Sequence, residues 1–199
     1  LADRAESVHG AALSLPDGLG LAHVVDLADA AQTVALARHA IEQLGGIDVL
    51  VNNAGVSPKR GGLPPDPTAV ELDEWDRVLR INLTAPFLLC RELLPGMVER
   101  RHGRIVNIAS RAGRTYVGPA ATHYAASKAG VIGMTRHLAG VYAPRGKGIV
   151  AEDHVPAHSA ERLAAHHRAG HAGHRGRDHP RIDPLVPRLG RQTHRAGMG

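Results

Sequence analysis

Aromatic side chains are scarce in this chain: one Trp, one Phe and three Tyr, 3% of 199 residues. A core built with so few rings must rest on Ala, Val, Leu and Ile, which the 43% hydrophobic content supplies. The single cysteine, Cys90, excludes an intramolecular disulfide and a cysteine-based metal cluster. No apolar run reaches the ~18 residues that read as a membrane span, and no basic-then-apolar leader opens the chain. The expectation is a soluble cytoplasmic protein with no metal site. The length suits one domain with a real core.

The apolar pattern alternates between short runs and longer helical stretches. Leu21 to Val25 reads as a strand ending at Asp26. Asp29 then caps a helix to about Leu44, which Gly45-Gly46 stops. Ile47 to Val51 is a mostly apolar strand, expected where both faces of a parallel sheet are covered. It runs into Asn52-Asn53-Ala54-Gly55. Small and amide residues at a strand's carboxyl end suit close ligand approach in open α/β sheets, although Asn and Gly equally favour a plain turn.

A Pro/Gly-rich loop from Ser57 to Pro67 leads to a long helical pattern from about Leu72 to Arg101, with Asn82 in its middle. Asparagine is a poor mid-helix residue. The ring of Pro86, four residues on, opposes the Asn82 carbonyl. Either Asn82 faces solvent, or the helix breaks locally there and turns a backbone carbonyl toward a site. A strand from Ile105 to Ala109 follows, ending in Ser110. The order strand, helix, strand, helix, strand, helix argues an α/β fold with a doubly wound parallel sheet.

The stretch from Ser110 to Lys128 carries the chemistry. Tyr124 and Lys128 stand four apart in a small-residue helix and so share one face. A free tyrosine, with a pKa of about 10, is a poor acid–base catalyst at neutral pH. A neighbouring ammonium favours phenolate and brings the group toward the working range. Ser110, at a strand's carboxyl end, can hydrogen-bond a substrate oxygen from the other side. Tyr-x-x-x-Lys alone recurs by chance; with Ser110 and the strand-end residues it describes a carbonyl/alcohol site.

Together Asn52-Asn53-Ala54-Gly55, Asn82 within Ile81-Asn82-Leu83, Ser110 after Ile105-Val106-Asn107-Ile108-Ala109, and Tyr124-Ala125-Ala126-Ser127-Lys128-Ala129 resemble a short-chain dehydrogenase/reductase. The branch most similar is that of 3-oxoacyl-[acyl-carrier-protein] reductases, and the resemblance covers residues 1–146. It implies a Rossmann-like fold and hydride transfer between a nicotinamide and a ketone or secondary alcohol. Tyr124 would be the proton donor to the ketone and would also border the cofactor, and Lys128 would hold the nicotinamide ribose and lower the Tyr124 pKa. Ser110 would polarise the carbonyl, and Asn82 would hold a water that relays protons to Lys128. Asn52, Ala54 and Gly55 would border the cofactor, Asp26 would contact the adenine, and Asp3 would accept the adenosine ribose hydroxyls. A carboxylate there repels a 2′-phosphate, so NAD is favoured, with NADP left open by Arg4. The substrate would be a small ketone or alcohol, or an acyl thioester. A homo-oligomer is implied, formed through the helices bearing Asn82 and Tyr124.

Two departures stand out. The Gly-rich phosphate loop is absent: Gly18-Leu19-Gly20 follows no strand and opens no helix. The first strand and its loop are therefore expected to be missing and the sheet incomplete. The second departure is residues 147–199, an Arg/His/Gly/Pro-rich segment without the family's pattern, expected to be disordered and its last strand altered. From Ala151 onward Phe, Tyr, Trp and Lys are all absent while eight His and eight Arg accumulate, the bias of a GC-rich gene read out of frame. The formal charge of +5 comes partly from this segment. With no lysine or aromatic to stack bases there, nucleic-acid binding is the poorer reading. Two functions remain: an NAD(P)-dependent oxidoreductase, or a catalytically inactive fragment retaining only self-association.

Overall fold

In a computed structural model of the protein, the described residues are 2–3, 20–142 and 149–154, the strands 2–3 and 149–154 by backbone alone. The strands are β1 (Ala2–Asp3), β2 (His23–Val24), β3 (Val49–Asn52), β4 (Gly103–Ile108) and β5 (Ile149–His154). The helices are α1 (Ala30–Leu44), α2 (Leu72–Leu79), α3 (Ala85–Arg100) and α4 (Thr122–Tyr142). Every strand pairing is parallel, β1 with β2 and β3-β4-β5 in that order. Helices alternate with strands, which gives the expected Rossmann-like α/β arrangement.

Local chemistry sets the boundaries. Asp29 caps α1, its carboxylate accepting from Ala31 N at 2.8 Å and Gln32 N at 3.1 Å. These bonds hold the Asp29 carboxyl below its usual range, the bond from Gln32 N being the largest cause. Gly45, at φ 70°, closes the helix in the left-handed region open to glycine. The apolar stripe of α1 is narrower than its sequence suggests. Thr33 and Ala37, one turn apart, are buried, while Ile41 and Leu44 lie 37% and 58% exposed.

The core lies between one face of the β3-β4-β5 sheet and the helices. Met97 and Ile105 are fully buried and pack with Ala37, Cys90, Leu93 and Leu94, and Ile47 and Leu50 lie against this cluster. Burying side chains of this size contributes about 1.5–3 kcal/mol each. The reading of β3 as covered on both faces does not hold among the described residues. Leu50 and Asn52 turn toward the helices, but Val49 and Val51, on the opposite face, are 56% and 55% exposed.

The long helical pattern is interrupted where Asn82 and Pro86 place the conflict. Arg80–Thr84 forms a π-helical turn between α2 and α3. One inserted residue lets the helix pass a position whose ladder Pro86 disturbs, and such turns concentrate at functional sites.

Within residues 147–199, β5 is described, and it pairs with β4 from Gly103↔Ile149 to Ile108↔His154. Its first residues, Ile149-Val150-Ala151, are two β-branched residues and a small one, a strand-compatible run inside a segment read as patternless. The tail 155–199, with its histidines, lies outside the described residues.

Candidate active site

β4 delivers Ser110 in an extended conformation (φ −155°, ψ 155°) to the sheet's carboxyl edge. Its Oγ accepts from Ala112 N at 3.2 Å, which begins a short 3-10 turn, Arg111–Gly113. That turn lies directly on α4. A Cβ at Gly113 would stand 2.6 Å from the Lys128 carbonyl carbon and 2.7 Å from Ala129 N. Only a residue without a side chain permits this approach, so Gly113 sets the distance between the Ser110 turn and the helix carrying Tyr124 and Lys128.

On α4, Tyr124 is half-buried and Lys128 is 5% exposed. The Lys128 ammonium donates to the Ile108 carbonyl at 2.6 Å and lies 5.8 Å from the centre of the Tyr124 ring. An ammonium has three donors, so the bond to Ile108 does not exhaust it. Burial holds the Lys128 pKa below its usual 10.5, because a desolvated charge is disfavoured.

Asn82 is buried in the π-helical turn, and its side chain acts as a clamp. Its Oδ1 accepts from Val56 N at 2.8 Å, while its Nδ2 donates to Val56 O at 2.9 Å and to Ser127 Oγ at 3.0 Å. The amide thus fixes both backbone groups of Val56, just beyond the Asn52–Gly55 turn, and ties that turn to α4. Gly55 is exposed, and a Cβ there would be 3.3 Å from Asn82 Oδ1 and 3.5 Å from Lys128 Nζ. Four sequence-selected residues therefore converge where β3 and β4 end: Gly55, Asn82, Ser110 and Lys128, with Tyr124 one turn before Lys128.

Asn52 has a different orientation. It pairs across the sheet with Asn107, and its Nδ2 donates to Asn107 Oδ1 at 2.7 Å, inside the protein. Asn107 Nδ2 in turn donates to Thr135 Oγ1 at 2.9 Å, and that hydroxyl donates to Val131 O at 2.7 Å. Buried polar groups need such partners, and this chain joins β3, β4 and α4 beneath the site. Ala54 and Gly55 are left at the mouth.

Asp26 follows β2 and lines a separate cleft of ≈530 Å³ with Ala28, Asp29, Arg80 and Thr84. Its Oδ1 accepts from Ala28 N at 3.0 Å, and Oδ2 lies 3.8 Å from Arg77 Nη1. Asp3 pairs with Val24 in the backbone register, and its side chain lies outside the described residues. Gly113, Ser127, Asn107 and Thr135 escaped the sequence reading. Ser127, Gly113 and Asn107 lie inside the stretches already singled out, whereas nothing local marks Thr135. No group of three metal-ligating side chains occurs among the described residues, nor any helix long and apolar enough to cross a membrane.

A family model described as short chain dehydrogenase matches residues 3–157. Nodulation protein G of Rhizobium sp. (strain N33) is 42% identical over 144 residues, covering 71% of this chain and 55% of that protein. A Brucella melitensis 3-oxoacyl-[acyl-carrier protein] reductase with bound NAD has a TM-score of 0.66 and 41% identity, over 76% of this chain and 58% of that one. A metagenomic short-chain oxidoreductase in complex with NADP has a TM-score of 0.69 and 31% identity, over 78% and 68%. The chain spans about half the length of the curated relatives it matches.

Proposed function

The chain belongs to the short chain dehydrogenase family, and from that membership we propose that it carries the acid–base centre of an NAD(P)-dependent oxidoreductase acting on a ketone or secondary alcohol, a 3-oxoacyl thioester in the first instance. The observation that supports this most is the convergence of Gly55, Asn82, Ser110 and Lys128 around the helix that bears Tyr124. Gly55 is exposed and its backbone lies close to the Lys128 ammonium, where a nicotinamide riboside would be held. A nicotinamide bound there would supply or accept the hydride. Lys128, with donors beyond its bond to Ile108, would hold the ribose hydroxyls. Tyr124 would give its phenolic proton to the carbonyl oxygen in reduction and take it back in oxidation. Ser110 would hold that oxygen from the opposite side. Asn82 keeps the Asn52–Gly55 turn in register with α4 through Val56 and Ser127. Asp26 and Asp3 would address the adenosine end, Asp3 favouring NAD.

A 3-oxoacyl thioester is the first substrate to test because the Brucella relative is a 3-oxoacyl-[acyl-carrier protein] reductase. Self-association would use α3 and α4: Phe87 is 47% exposed, and Ala126, Ala129 and Gly133 present a small-residue surface. A second reading, a chain inert by itself that retains only self-association, rests on one observation: the sequence contains no Thr-Gly-x-x-x-Gly-x-Gly motif to receive a pyrophosphate.

One experiment separates them. The chain alone, and a chimera carrying the strand and Gly-rich loop of the Brucella reductase ahead of Leu1, are assayed for NADH and NADPH oxidation with an acetoacetyl thioester. The expected result is turnover in the chimera, lost in Tyr124→Phe, with none measurable in the chain alone. A chimera that binds NADH yet never reduces the thioester or a simple ketone would favour the inert reading.

A further inference from the structure

His123, immediately before Tyr124, is fully buried, yet the proposed chemistry makes no use of it. Its Nε2 lies 3.2 Å from Glu74 Oε1, at ion-pair distance but without hydrogen-bond alignment, and neither ring nitrogen has another partner. The other oxygen of Glu74 accepts from Arg60 Nη2 at 2.7 Å, and Arg60 Nη1 donates to Ala69 O at 2.9 Å. Arg60 also closes a small bridge with Leu63 in the loop between β3 and α2. The neighbouring Lys59 donates to the Pro119 carbonyl, in the loop that leads into α4. Two links therefore join the 57–63 loop to the entry of α4, one of them through a buried histidine and a carboxylate.

Helical geometry makes this link a second clamp on the first turn of α4. Glu74 and Asn82 sit about two turns apart along the α2–π-turn segment, and His123 and Ser127 sit about one turn apart on α4. Asn82 holds Ser127, and Glu74 faces His123. Glu74 lies in the first turn of α2, where the helix dipole favours a carboxylate. An apolar residue would fill the His123 position without leaving polar atoms buried, whereas the ring stands 3.2 Å from a carboxylate that Arg60 already holds.

We propose that His123 is a positioning residue: through Glu74 and Arg60 it couples the 57–63 loop to the first turn of α4 and so fixes where Tyr124 stands. The inference rests on reading Tyr124 as the proton donor, but its test needs no turnover. In the 199-residue chain, ring-labelled tyrosine is observed by NMR, Tyr124 being assigned by Tyr124→Phe, while amide exchange is followed over residues 59–63 and 122–128. His123→Phe keeps volume but loses the ring nitrogens, and it should shift the Tyr124 ring signals and speed exchange in both segments about tenfold, the size of a modest local loosening. His123→Gln, which retains a donor toward Glu74, should restore most of both. Glu74→Gln, at a partly exposed site where folding is not at stake, should reproduce the Phe effect in part and add nothing when combined with it. Unmoved Tyr124 signals in both His123→Phe and Glu74→Gln would overturn the proposal. So would exchange that rises in the α4 turn but not in the 57–63 loop. Loss of activity in Tyr124 variants bears on the functional reading alone, and these signals bear on the coupling alone.

Discussion

Replacing Gly113 by alanine puts a methyl carbon 2.6 Å from the Lys128 carbonyl carbon and 2.7 Å from both Lys128 O and Ala129 N. All three atoms are helix backbone and cannot rotate away. Comfortable carbon contacts begin near ~3.5 Å, so the Arg111–Gly113 turn must retreat from α4 by roughly 1 Å. Overpacking of this kind costs about 1–3 kcal/mol. The retreat carries Ser110 with it, because Gly113 N bonds Ser110 O at 3.0 Å and Ala112 N bonds Ser110 Oγ. A misplacement of about 1 Å at a reacting centre can cost on the order of a hundredfold in rate. The expected result is a lower denaturation midpoint in the 199-residue chain and a loss of kcat approaching that factor in the chimera, with dinucleotide affinity little changed. Gly140→Ala is the control: nothing lies within 4 Å of the added carbon, and helix propensity predicts a gain of roughly 0.5–1 kcal/mol. If Gly113→Ala matches Gly140→Ala in stability and leaves kcat intact, the close approach does not position Ser110.

Thr135→Val removes the acceptor of Asn107 Nδ2 in a fully buried chain, so it should destabilise by about 1–3 kcal/mol; Thr135→Ser should cost far less, and equal losses in urea unfolding would contradict this. Cys90 is buried, and desolvation pushes its thiol up to about 11; alkylation by iodoacetamide at neutral pH, read by mass spectrometry, should be negligible until the protein unfolds. Lys128 contributes to the pH dependence of stability. Its folded pKa is lowered from 10.5 by burial, so the unfolded chain binds more protons between the lowered value and 10.5, and stability should rise with pH across that window. Lys128→Met should flatten that rise in alkaline denaturation curves, and an unchanged slope would show that the ammonium is not desolvated.

Much of the architecture was legible because local chemistry and tertiary need agree. Asp29 and Gly45 bound α1 as their side-chain and backbone preferences dictate, and of the two alternatives left at Asn82 the structure has the local break, with Asn82 buried. Tyr124 and Lys128 could be paired because helical spacing alone places them together. The interior of the site was not legible in the same way. Asn52 reads as a strand-end turn residue, and only the register Asn52↔Asn107 shows that its amide turns inward. Thr135 and Asn107 meet across 28 residues of chain, and no periodicity records such a pairing. Among the described residues Val49 and Val51 stand exposed on β3, and the sequence could not distinguish them from Leu50 because all three are equally apolar. β5 was hidden for a related reason, since a strand of three apolar and three polar residues in a biased segment carries little signal, and its partner β4 supplies the register.

The account stands on Tyr124 as the group that moves the proton, and the chimera gives the most direct measurement: single-turnover reduction of an acetoacetyl thioester by Tyr124→Phe, with NADH affinity determined on the same sample. Removing one hydroxyl takes away the transferable proton, and general acid–base catalysis contributes about 10²–10⁴ in rate. The account predicts a rate reduced by at least that lower factor, with NADH affinity within about twofold, close to the scatter expected of a surface-neutral change. A Tyr124→Phe chimera that retains most of its single-turnover rate would contradict it.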